Sequence, residues 1–245
     1  MKAWIWKIWA VCILPAFAVA AQGAVLYDNS TTDTGYVLVF PNNLEVGDQI
    51  WLANYLTDPY LTSFSFEYYS SNTTFSGTVT ADVRFRLNDG PTYNGYNSPG
   101  SVFYDTGPFE IPTPQSVFPG TNAAVLSFSL SDIYAPGGPL QPMTTGFQMP
   151  SNFTITVTFQ GLSVTDQAGL PSFEPPAVGT NYQNYWENDG GYWQLETNSI
   201  GGVLQPVGFA VQLYGTDQPI PEPSTLCLAA VGAALLAGFA RRRRQ

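Results

Sequence analysis

Residues 78–88, TVTADVRFRLN, alternate without a break. Val79, Ala81, Val83, Phe85 and Leu87 share one side of an extended chain, and Thr80, Asp82, Arg84, Arg86 and Asn88 share the other. A helical period would mix these two sets, so the segment is committed to a strand. The same pattern recurs in NFTITVTFQ, with Phe153, Ile155, Val157 and Phe159 facing inward and Thr154, Thr156 and Thr158 outward. It returns in VGFAVQLYG through Val207, Phe209, Val211 and Leu213. Weaker candidates start at 25 (VLY), 36 (YVLVF), 49 (QIWLANY), 63 (SFSFEYY), 102 (VFYD) and 124 (AVLSFSL). Between them lie NDGP, SPGS, APGGP and NDGG, residues that fix φ or allow it to be positive. The expectation is an all-β chain of about nine or ten short antiparallel strands, a sandwich or jelly-roll-like ectodomain with one polar sheet face toward water. Residues 170–190 hold too much Pro and Asn for a strand and read as a long ordered loop.

A second constraint is what the central segment lacks. Between Ala24 and Ile220 there is no Lys, His or Cys, and Arg84 and Arg86 face seventeen acids, a net charge of −15. The missing types remove Ser-His-Asp and Cys-His catalysis, zinc ligation and a disulfide framework from that segment. The charge repels nucleic acid and anionic lipid.

Both ends read as traffic signals. MKAWIWKIWAVCILPAFAVAAQGA has two lysines, an apolar run from Ile8 to Val19 and an Ala18-Val19-Ala20 exit, the order of a signal peptide over residues 1–23. This implies export through the Sec translocon of an ectodomain over 24–215, followed by a linker over 216–220. The other end reads PEPSTLCLAAVGAALLAGFARRRRQ over 221–245. Leu226 to Ala240 is uncharged, and as a helix it would reach about 23 Å, a short single C-terminal transmembrane helix. Arg241, Arg242, Arg243 and Arg244 lock it with the arginines in the cytoplasm and the body of the chain outside. Pro221-Glu222-Pro223 keeps the backbone before the helix extended, the form in which a protease binds its substrate.

This order of Pro-Glu-Pro, apolar helix and arginine cluster resembles the PEP-CTERM sorting signal of Gram-negative bacteria. The resemblance implies recognition of Pro221, Glu222, Pro223 and the Arg241–Arg244 cluster by exosortase, a transient inner-membrane anchor with the ectodomain in the periplasm, then removal of the tail on the way to the cell surface. It also implies company with exopolysaccharide and biofilm. AVLYDNS, VGDQIWLA, LTSFSFEYY, VRFRLNDGP, VFYDTGPF and NYWENDGGYW resemble choice-of-anchor domains, exported modules of undefined activity.

Three chemistries remain open for the ectodomain beside a non-enzymatic structural role. Tyr185, Trp186, Tyr192 and Trp193 gather about an Asn-Asp-Gly turn, and such rings flanked by amides suit sugars, although a hairpin filling the core edge would use the same residues. Glu174, Glu187, Asp189 and Glu196 are the carboxylates a glycosidase would need, or simply solvated acids. Asp28, Asp33 and Asp89 offer oxygens to a structural calcium, or close Asx turns. Arg84 and Arg86 either pair with Asp82 on the sheet or meet an acidic polysaccharide.

Overall fold

The computed structural model describes residues 23–53, 56–129, 132, 146–200 and 203–217. The expected signal peptide up to Gln22, Pro221-Glu222-Pro223, the expected transmembrane helix and Arg241–Arg244 lie outside the described residues, as does the expected APGGP turn.

Twelve strands carry the architecture: β1 Ala24–Asp28, β2 Asp33–Phe40, β3 Glu45–Trp51, β4 Tyr60–Tyr69, β5 Thr80–Arg86, β6 Val102–Asp105, β7 Ala123–Ser129, β8 Asn152–Gln160, β9 Ala168–Phe173, β10 Tyr185–Asp189, β11 Tyr192–Glu196 and β12 Val211–Thr216. One sheet runs β1-β12-β4-β9-β2, with β7 and Phe147–Gln148 also on β4. The other runs β11-β10-β3-β8-β5-β6, with Thr180–Asn181 on β3 and Phe109–Glu110 on β5. Every pairing is antiparallel. Helix is confined, among the described residues, to the single turn Pro114–Val117.

The two sheets pack face to face, and aromatic rings join them. Phe64 of β4 meets Phe85 of β5 at 5.2 Å between centroids, and Phe40 of β2 meets Tyr185 of β10 at 6.1 Å. The inward sets expected for β5 and β8 are buried as the alternation requires, from Ala81, Val83 and Phe85 to Phe153, Ile155, Val157 and Phe159. An all-β antiparallel sandwich is therefore the fold of the described residues.

Two local expectations differ. The supposed loop over 170–190 contains part of β9, the short strand Thr180–Asn181 and all of β10. Pro171 is tolerated in β9 because that strand pairs with β4 only at Gly169↔Tyr69, so no β4 ladder bond needs its missing N–H. The second difference concerns solvent. Thr154, Thr156 and Thr158 point away from the core, yet none is more than 5 % exposed. The outer face of this sheet is covered.

Candidate functional site

The cover is built from charges and rings. The outward residues of β5, β8 and β3 bring Arg84 and Arg86 beside the threonines of β8 and Glu45 of β3. Arg86 grips Glu45 with both forks, Nε to Oε1 at 2.7 Å and Nη2 to Oε2 at 3.0 Å, while its Nη1 donates to Gly100 O at 2.8 Å. Thr156 Oγ1 donates to the same Glu45 carboxylate at 2.6 Å. Arg84 donates to Asp82 and, through Nε, to Asp105 Oδ2 at 2.9 Å, with Glu45 at 3.9 Å. Burial pushes the Asp82 carboxyl up to about 6, helped by a proton held against Asp105 and opposed by Arg84. Burial also works to raise Asp105, but the Gly107 N–H, Asp82 and Arg84 together hold it below the usual range. Both arginines are thus occupied in a local network with acids of their own sheet.

The rings lie over and beside this network. After β5 the chain makes an excursion to Ser101, zipped at its base by Leu87 N to Ser101 O and Gly100 N to Leu87 O, each 2.8 Å. Asp89 Oδ1 accepts from Ser101 N at 2.7 Å and closes the same loop. Its tip is a hairpin, Thr92–Tyr93 against Tyr96–Asn97, turning through Asn94 and Gly95 at φ 50° and 87°. Tyr93 lies edge-on to Trp186 at 6.5 Å, and Tyr96 lies 4.6 Å from Tyr182, which in turn stands 6.5 Å from Trp51. Trp193 receives the Arg86 guanidinium on its ring at 5.5 Å.

The four hairpin aromatics therefore part company. NDGG does turn the β10–β11 hairpin, through Gly190 and Gly191 at φ 66° and 100°. Tyr185 faces inward and packs in the core with Phe40 and Phe209. Trp186 faces outward, opposite Gly47 of β3, and is fully buried. Trp193 is half-buried and Tyr192 is 77 % exposed. Sequence reasoning missed Trp51, Tyr93, Tyr96 and Tyr182, although the Asn-Gly in YNGY over 93–96 is a hairpin signal.

The remaining candidates sit apart. Asp28 Oδ1 accepts from Ser30 N at 3.0 Å, and Asp33 Oδ1 from Gly35 N at 2.7 Å, each closing its own turn. Among the described residues no group of three His, Cys, Asp or Glu side chains is arranged to hold a metal ion. Glu187 and Glu196 lie on the Tyr185 side of the hairpin, where burial and its acidic neighbours Glu196 and Asp189 raise Glu187 against a bond from Tyr185. Glu174 belongs to a different place, beside Asn181.

β12 ends at Thr216, and Asp217 is the last described residue. The sequence that follows carries a sorting motif. Residues 219–244 match the family model of the PEP-CTERM protein-sorting motif. The PEP-CTERM motif marks the chain as an exported substrate of the exosortase system with a transient C-terminal membrane anchor. Pro221, Glu222, Pro223 and the four arginines all fall inside the match. No curated protein and no solved structure matches the chain. The resemblance of residues 24–215 to choice-of-anchor domains therefore rests on the quoted segments alone.

Proposed function

We propose that the chain is a non-enzymatic protein of the cell surface or extracellular matrix, delivered through the periplasm and freed of its tail by exosortase, in a setting of exopolysaccharide and biofilm. The observation that carries this reading is the PEP-CTERM motif at 219–244, with Pro-Glu-Pro placed directly before the apolar run and the arginines. The absence of Lys, His and Cys between 24 and 220 supports a role that presents a surface rather than one that turns over substrate. The test is the intact mass of the protein recovered from the surface of cells with a working exosortase. The expected mass lacks Arg241–Arg244, and a surface protein that keeps them overturns the proposal.

A second reading is favoured by the Tyr96–Tyr182–Trp51 ledge, partly exposed rings beside the loop amides of Asn94 and Asn97. Such a ledge offers the stacking faces and hydrogen-bonding groups that a sugar chain uses. Tyr96 is 41 % exposed, so Tyr96→Ala leaves the fold in place. It is expected to lower retention on the producer's own polysaccharide about fivefold, the loss of roughly one stacking contact. Tyr36→Ala, on the opposite sheet, is the control. Equal retention by Tyr96→Ala and the parent removes this reading.

A further inference from the structure

The inner face of β3 holds a polar cluster of a different kind. Asp48 lies on β3 in phase with Val46 and Ile50, an acid on the apolar face of its strand. It is 2 % exposed. Its Oδ2 accepts from Asn181 Nδ2 and from Phe209 N, both at 3.3 Å, and its Oδ1 has no partner. The same Asn181 amide donates to Glu174, so a single amide answers two carboxylates. Asn29, fully buried after β1, donates to Phe173 O at 2.8 Å and Phe209 O at 3.3 Å, while its Oδ1 is unpartnered. The Tyr27 hydroxyl is likewise buried without a partner, among Asp48, Glu174 and Asn29.

Gly208 marks where these groups converge. A Cβ there would come within 2.2 Å of Asn181 Nδ2, 2.5 Å of Asn29 Nδ2 and 2.6 Å of Glu174 Oε1. Three separate stretches of chain thus aim polar side-chain atoms at one point, and Asp48 joins them through Asn181. Two of those groups are carboxylates, and burial raises both above their ordinary range, Asp48 most strongly.

Among the described residues the cluster has no counter-charge. Arg84 and Arg86, the only cations between 24 and 220, are engaged on the opposite face of β3's sheet. A buried carboxylate needs a proton or a cation to neutralise it. Carboxylate, amide and main-chain carbonyl oxygens are the donors of a hard divalent cation, and calcium takes six to eight of them in flexible geometry. Asn29 Nδ2 and Asn181 Nδ2 face main-chain and carboxylate oxygens, and a half-turn of either amide would bring Oδ1 to an ion held among those same oxygens.

We propose that Asp48, Glu174, Asn29 and Asn181 form a calcium site that ties the end of β1, β3, the segment after β9 and the Thr180–Asn181 strand into one corner of the sandwich. Glu174 is only half-buried and gives the ion its way in. The site is separate from Asp28, Asp33 and Asp89, and it does not depend on the surface role proposed above.

The test uses the full chain in detergent, stripped with EDTA, and follows thermal unfolding at pH 7 with and without millimolar calcium chloride. Calcium is expected to raise Tm by about 5 °C or more when saturating, and magnesium by much less. Asp48→Asn and Glu174→Gln should each abolish the rise, whereas Asp89→Asn, outside the cluster, should keep it. Should Asp48→Asn fail to fold, the half-buried Glu174→Gln decides. A parent Tm indifferent to calcium overturns the site, and so does a full rise in both variants. A parent that ignores calcium but gains stability on acidification identifies a proton as the counter-charge, and that result also overturns it.

Discussion

Arg86→Met is expected to destabilise the protein by about 3–5 kcal/mol, the usual cost of removing one partner from a buried ion pair. The Arg86 side chain is 14 % exposed and that of Glu45 8 %, so water does little to screen the charge left behind. The stranded Glu45 would keep the Thr156 hydroxyl and Arg84 at 3.9 Å, neither of which replaces a two-pronged guanidinium. The Gly100 carbonyl would lose its donor and the Trp193 ring its cation. Thermal unfolding should move down by about 10 °C. The double variant Arg86→Met/Glu45→Met should recover most of the loss, since the damage lies in the unpaired charge rather than in the missing bond. A shift of under about 1 kcal/mol for Arg86→Met would mean the pair is effectively solvated.

Trp186→Ala should cost about as much, 3–5 kcal/mol by the usual range for a large buried aromatic. Trp186 is fully enclosed between its sheet and the 92–97 hairpin, so truncation opens a hole beneath Tyr93. The same change at half-buried Trp193 should cost clearly less, and at Tyr192, 77 % exposed, close to nothing. Urea unfolding of the three variants gives that order directly. Equal losses at Trp186 and Tyr192 would contradict the placement of the hairpin. One practical lesson follows for sugar binding: lost retention in Trp186→Ala would report a damaged fold, and the exposed rings are the ones to change.

Alternation made β5 and β8 legible because each inward residue is apolar and each outward one polar. The same alternation misled about water. It says which way Thr154 points, and nothing about the excursion over 87–101 that meets Thr154 through Asn88 and lays Tyr93 against Trp186, a stretch of Asn, Gly, Pro and Tyr with no apolar run of its own. Arg84 and Arg86 were visible as neighbours of Asp82, but Glu45 joins them only through the register of β3 on β8. The hairpin turn could be read from NDGG, yet the division of Tyr185 to the core and Trp186 to the outer face depends on which β10 residue meets Gly47. Asp48 left a trace, an acid in the apolar phase of VGDQI, whereas its companions Asn29, Glu174 and Asn181 come from distant segments that only the fold unites.

The pairing of β1 with β12 has a temporal side. Among the described strands β1 pairs with β12 alone, with Ala24 opposite Gly215. A chain exported from its N-terminus delivers the first strand long before its mate, so that edge stays open until nearly all of the ectodomain has crossed. Only three residues, Gln218, Pro219 and Ile220, separate Asp217 from Pro221, a reach of at most about 14 Å. On the proposed route, closure of the sheet and presentation of the cleavage signal would fall at the same moment of secretion, and the tail would be cut from a body already able to fold.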